Sequence, residues 1–351
     1  MAQAPAVFRV QFNSLLRNFT RLRGDINAWN LLIDNLPSVS FHSPHSTTTV
    51  EIDWKDSKEF IVERNSQYFD STEINTKEKY DGMIEKMNEY IRRSEAGLVR
   101  KDLEIELSVY SSDVDEFRDM GYVINVLYQI FLTMNLAIPG SCDFYSVEVH
   151  SNSLEASNFS KKKRLWLAGS TFEGAIESQK RLGWQILQDL PILKVLQWIQ
   201  RIGVAESNFA RSTTERAIYG MLHVCNQPDL SPSEVVWLAQ ALEALFDTPK
   251  AGISKILRDR IFLVLGEPTE NLKKIKKAIN TFYDYRSRYV HGEIEIPNPM
   301  SIRLSDSSLD KFQEELMEHI DFAMLLIVSA LQRLILLDGS AFEFLESVSI
   351  Q

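Results

Sequence analysis

The spacing of hydrophobic and polar positions changes along this chain, and the change divides it. Leu103-Glu104-Ile105-Glu106-Leu107-Ser108-Val109-Tyr110 places an apolar side chain at every second position, the period of a half-buried strand. Thr48-Thr49-Val50-Glu51-Ile52-Asp53-Trp54 and Glu59-Phe60-Ile61-Val62-Glu63 alternate or are β-rich and predict two more strands, and 144–150 predicts a fourth. Residues 77–95 repeat with helical spacing, charges outward. A helix over about 114–135 ends before Pro139-Gly140. Strand, helix and strand in that order predict a small α+β module.

From Ser170 onward the two-residue period disappears and helical segments follow one another: 174–202 broken near Pro191, then 208–226, 231–247, 250–265, 269–291 and 307–338. Ser231 is placed to cap a helix with Pro232 in its first turn. Leu272, Ile275, Ile279 and Phe282 form one apolar stripe, so Lys273, Lys274, Lys276 and Lys277 fall largely off it. The second half therefore reads as an antiparallel helical bundle. The polar stretch SNSLEASNFSKKK (151–163) marks the boundary, its three lysines taken as linker solvation. The expected fold class is α+β, with a mixed module over 1–163 and an all-α bundle over 164–351.

Composition narrows the function classes. The two cysteines, Cys142 and Cys225, are far apart without CxxC spacing, which argues against a disulfide framework or zinc site and for a reducing compartment. The start lacks a basic segment followed by an apolar run. The apolar stretches 122–138 and 323–337 carry Asn125, Gln129, Asn135, Gln332 and Arg333 and fall short of the ~20 residues of a bilayer span. A cytoplasmic protein without membrane partners is expected. The net charge of −10 argues against a coat for nucleic acid, whose binding rests on neutralising phosphates, but leaves room for a local basic site. No Gly-rich phosphate loop, nucleophile elbow or HExxH occurs, and His42 and His45 lack a third ligand. No metal and no cofactor is expected.

The compact chemical proposal lies in Tyr285-Arg286-Ser287-Arg288-Tyr289-Val290-His291-Gly292, at a helix end that Gly292 would terminate. An imidazole moves protons near neutral pH, and a guanidinium neutralises charge building on phosphorus oxygens. RNA carries its own 2′-hydroxyl nucleophile. Arg286 and His291 are five apart, about 140° around a regular helix, so Arg288 and His291 are the closer pair by geometry. The ordinary role of such residues is to complement the negative end of the helix dipole.

This region resembles the Apea-like branch of the HEPN superfamily, on three stretches in order: LAQALEALF (238–246), ILRDRIF (256–262) and FYDYRSRYVHG (282–292). The resemblance covers about 205–338. It implies a helical bundle in which an R-x-x-x-x-H motif, here Arg286 and His291 with the polar Ser287 between them, cleaves RNA without metal. It also implies that two motifs meet across a homodimer in one composite site. By local charge, Arg288 with Lys273, Lys274 and Lys277 forms a basic face that either holds an RNA backbone or, for the lysines, is a solvated helix face. Asp284 and Tyr285 either contact substrate or are partly exposed packing, the commoner role. Glu243, inside an apolar run, either orients the Arg or His, or forms a buried ion pair with Arg258 or Arg260, the commoner role. The branch is associated with bacterial abortive infection. That suggests a toxin-like effector whose N-terminal module senses a regulatory protein or phage trigger. The rival expectation is a non-catalytic dimerisation or protein-interaction module.

Overall fold

The computed structural model describes residues 5–12, 22–42, 46–66, 103–111, 116–152, 162–204, 207–249, 253–298 and 307–345, with isolated positions between 82 and 96. In chain order the elements are β1 (Ala6–Phe12), α1 (Leu22–Asn35), β2 (Ser38–His42), β3 (Thr47–Asp53), α2 (Ser57–Ser66), β4 (Leu103–Tyr110), α3 (Glu116–Ala137), β5 (Tyr145–Ser151), β6 (Lys162–Leu167), α4 (Ser170–Leu182), α5 (Ile192–Ile202), α6 (Thr213–Cys225), α7 (Ser233–Leu245), α8 (Ile253–Leu265), α9 (Leu272–Val290) and α10 (Ser307–Leu337). Two compact units result: Met1–Gly169 with Pro191–Glu206, and Ser170–Leu190 with Ser207–Gln351.

The first unit is built on an antiparallel sheet of order β2-β3-β4-β1-β5-β6. Alternation explains its two faces. Phe8, Val10 and Phe12 of β1 and Leu103, Ile105, Leu107 and Val109 of β4 are buried, with α3 packed against β1, β3 and β4. The opposite face carries charge pairs: Arg9–Glu104 at 3.3 Å, and Glu148 with Lys162 at 2.8 Å and Arg164 at 3.2 Å. The fold class is thus α+β.

Four details depart from the expectations. Residues 59–63 are helical rather than extended: Phe60 and Ile61 are both buried, while Val62 is half exposed, a one-sided helical pattern. Residues 162 and 163, expected as linker, begin strand β6, whose long-range pairing with β5 outweighs its lysine-rich start. The boundary therefore falls after Gly169 rather than at 163, and α5 belongs to the first unit, packing on α1 and α3. The apolar helices run to 22 and 31 residues, so both are long and apolar enough to cross a bilayer by length and composition, although most of each is buried within the protein. The expected helix over 77–95 lies almost wholly outside the described residues.

In the second unit α10 is the central element. It packs against α4, α7, α8 and α9, and its residues from Phe322 to Leu331 are buried without a break. Helix α4 approaches it closely: a Cβ on Gly174 would collide with the Asp321 carboxyl. Helix α6 starts with a capping box in which Ser212 and Glu215 satisfy each other's backbone N–H groups. At α7 Pro232 occupies the cap position by its dihedrals, yet Ser231 Oγ accepts from the Ser233 N–H at 3.4 Å and Glu234 accepts from the Ser231 N–H at 2.8 Å, so Ser231 still caps the first turn as expected.

Candidate active site at the end of α9

Helix α9 lays Ile275, Ile279, Phe282 and Tyr285 against α7, α8 and α10, the predicted stripe moved along by one turn, with Leu272 only half-buried and Tyr285 added. It ends as Gly292 requires. With φ of +74°, Gly292 donates its N–H to Tyr289 O at 3.1 Å, and Glu293 N–H reaches Arg288 O at 2.8 Å. These two bonds make a Schellman stop. His291 is the last residue before the reversal, its N–H on Ser287 O at 3.0 Å and its imidazole exposed.

Arg286 lies on another flank. Its Nη2 stands 3.9 Å from Glu243 Oε1 on α7, with the two side chains 30% and 24% exposed. The expected alternative for Glu243, an ion pair with Arg258 or Arg260, does not form. Arg258 lies 3.4 Å from Asp259, and Arg260 donates to the carbonyls of Phe246 and Asp247 while covering the Phe344 ring at 4.4 Å. Burial pushes the Glu243 carboxyl above its ordinary range, and the Arg286 charge only partly offsets this.

The Arg286 flank holds several buried polar atoms without partners. Glu243 Oε1, Arg286 Nε and the Tyr283 hydroxyl have no hydrogen-bond partner among the described residues. Tyr283, one turn before Arg286, is pushed up by burial and by the Glu243 charge. Three polar groups with unspent hydrogen-bonding capacity in one place are uncommon in a native interior. Tyr283 was not singled out by sequence; its i,i+3 relation to Arg286 was the available signal.

The other expected site residues divide. Ser287 and Arg288 are exposed beside His291. Asp284 is exposed, but Tyr285 is a core residue rather than a substrate contact. It is 3% exposed, with its ring centroid 4.6 Å from that of His319 and its hydroxyl pushed up to about 12 by burial. The lysines are not gathered around Arg286. Lys274 Nζ is 2.6 Å from Arg181 O, and Lys277 lines a separate cleft with Arg181, Glu318 and His319. Nine residues separate Lys277 from Arg286, which places them about 180° apart on the helix and roughly 13 Å apart along it. Elsewhere, His42 contacts Thr47 at 3.2 Å, and no group of three potential metal ligands occurs among the described residues. His45 lies outside those residues.

No family model, characterised protein or solved structure matches this chain.

Proposed function

We propose that this protein is a metal-independent endoribonuclease with a HEPN-like C-terminal bundle, working as a homodimer and serving as a toxin-like effector in bacterial anti-phage defence. One observation supports it above the others: the half-buried Arg286–Glu243–Tyr283 cluster, with polar atoms unsatisfied, one turn before a helix end that exposes Arg288 and His291. An open imidazole and a guanidinium paired with a carboxylate are the two groups that general acid–base cleavage of a phosphodiester needs, once both are brought to one phosphate.

In this mechanism His291 takes the proton of the RNA 2′-hydroxyl. The 2′-oxygen then bonds to the adjacent phosphorus, and the bond from phosphorus to the 5′-oxygen breaks. The leaving oxygen receives a proton from an imidazole of the dimeric site, and the products are a 2′,3′-cyclic phosphate and a 5′-hydroxyl. Arg286 offsets the charge on the phosphorane oxygens, Glu243 positions Arg286, and Arg288 holds the flanking phosphate. A second copy of the motif removes the difficulty that Arg286 and His291 of one chain point about 140° apart. The N-terminal α+β unit is assigned to sensing or regulation.

The same pairing of Arg286 with Glu243, turned from His291, favours a second reading in which the bundle is a non-catalytic dimerisation or interaction module. Growth on inducing the parent or the Arg286→Ala/His291→Ala variant in bacteria, with total RNA run on a gel, separates the two. The nuclease reading expects arrest and RNA fragments from the parent alone. Equal growth and intact RNA in both would leave the interaction module.

A further inference from the structure

Away from the end of α9, a groove of about 500 Å³ opens between α6 and α7. Its size falls within the range of small-molecule sites. Its base is set by a close helix crossing: a Cβ on Gly220 would stand 3.0 Å from Trp237 O and 3.2 Å from Ala241 Cβ. Any side chain at 220 would push the two helices apart by a few tenths of an ångström, and the larger side chains on either side are left to form walls.

One wall is aromatic. The Trp237 indole and the His223 imidazole stack at 4.1 Å with an interplanar angle of 15°, and Trp237 remains 36% exposed. A flat indole held by a ring on another helix costs little ordering when a third ring joins the stack. Gln240, one turn after Trp237 and exposed, adds an amide with both donor and acceptor capacity. Across the groove Arg216 lies seven residues before His223, about 10 Å along α6. Two acids, Glu243 and Asp247, also line the groove; Arg286 stands 3.9 Å from the first and Arg260 3.8 Å from the second. Arg216, whose Nε donates to Ser212 O at 3.4 Å, is then the lining cation with no carboxylate counterpart among the described residues.

We infer that this groove binds a single unpaired nucleotide, its base stacked on Trp237, its edge read by Gln240 and its phosphate held by Arg216. Stacking on an aromatic face tolerates any base, and an amide pairs best with the adenine edge. This goes beyond the nuclease reading and does not depend on it: the groove is tested by binding, with no cleavage step. The nucleotide comes either from a single RNA strand or from a free nucleoside monophosphate. In the strand case the groove positions bases near Arg286 through their shared neighbour Glu243.

The test uses the full chain, a fluorescein-labelled 2′-O-methyl A-rich oligonucleotide that cannot be cleaved, and AMP as free ligand and as competitor. Binding by anisotropy and calorimetry is compared for the parent, Trp237→Ala, Trp237→Phe, Gln240→Ala and Arg216→Ala, with circular dichroism as the control for folding. We expect about tenfold weaker binding for Trp237→Ala, recovery in Trp237→Phe, and a two- to fivefold loss for the exposed Gln240→Ala. Arg216→Ala should weaken binding and lower the salt slope by about one. Oligonucleotide binding without AMP binding assigns a strand, and the converse assigns a free nucleotide. No binding of either, or binding that none of the four variants alters, overturns the inference. So does a groove that instead joins two copies of the chain, seen as a dimer lost in Trp237→Ala. Cleavage that survives His291→Ala would count against the nuclease while leaving the groove intact.

Discussion

Two flanks of α9 five residues apart live under opposite conditions. Arg286 is paired across α9 and α7 with a carboxylate that burial pushes toward its neutral form, beside a tyrosine hydroxyl with no hydrogen-bond partner among the described residues. His291 stands at the open end of the same helix, fixed by its backbone while its ring is exposed. The buried flank supplies a charge that is preorganised and only partly neutralised; the exposed end supplies an imidazole open to whatever approaches. A site needs both properties, and the helix separates them instead of stacking them.

Substitutions on the two flanks should therefore behave differently. Arg286→Ala should affect both activity and stability: cleavage should fall by ~10²–10³-fold, as when one preorganised electrostatic donor is removed. Stability should fall by about 1–2 kcal/mol in chemical denaturation, less than for a fully buried pair because both side chains are partly exposed. His291→Ala should remove activity while leaving the denaturation midpoint within ~0.5 kcal/mol of the parent. If His291→Ala destabilises as much as Arg286→Ala, the contrast between the flanks is lost.

Helix α7 carries a second buried carboxyl that sharpens the comparison. Glu234 is 4% exposed, and burial lifts it from 4.5 to about 7. Its folded-state value lies above its unfolded one, so the folded protein keeps a proton that the unfolded chain releases. Stability should therefore fall as pH rises from about 4.5 to about 7 and level off above. Glu234→Gln, which keeps an oxygen for the Ser231 N–H, should match the parent near pH 4 and gain on the order of 1–3 kcal/mol at pH 8. A variant whose advantage does not change with pH would contradict this.

Smaller effects follow on the buried flank and along the helix. Tyr283→Phe removes a hydroxyl that has no partner, so its stability should change by less than ~1 kcal/mol. A drop in cleavage from the same variant would place that hydroxyl on the substrate. Lys277→Ala, about 180° from Arg286, should leave stability within ~0.5 kcal/mol and weaken RNA binding only a few-fold at low salt.

Much of the helical unit was legible because its signals are local. The stripe of α9, the stop at Gly292 and the break at Pro191 each follow from residues within one or two turns. The sheet was read less well because its evidence is spread along the chain. β6 is a strand through its pairing with β5, and no local pattern outweighs three successive lysines. β1 was legible in principle from the alternation of Phe8, Val10 and Phe12 around Arg9 and Gln11, once the N-terminus is read for more than a targeting signal. At the site, sequence placed Glu243 inside an apolar run but not its partner. Arg258, Arg260 and Arg286 were all chemically eligible, and only the packing of α9 on α7 selects Arg286. The groove between α6 and α7 was hidden for the same reason, since His223 and Trp237 meet across two helices.

The central claim is that the exposed imidazole at the end of α9 cleaves RNA, and the most direct measurement is cleavage of a single-stranded RNA by purified parent and His291→Ala protein in excess EDTA. The account predicts cleavage by the parent to 2′,3′-cyclic phosphate ends and a loss of ~10²–10⁴-fold in the variant at unchanged fold. Equal cleavage by both proteins, or activity in the parent that EDTA abolishes, would contradict it.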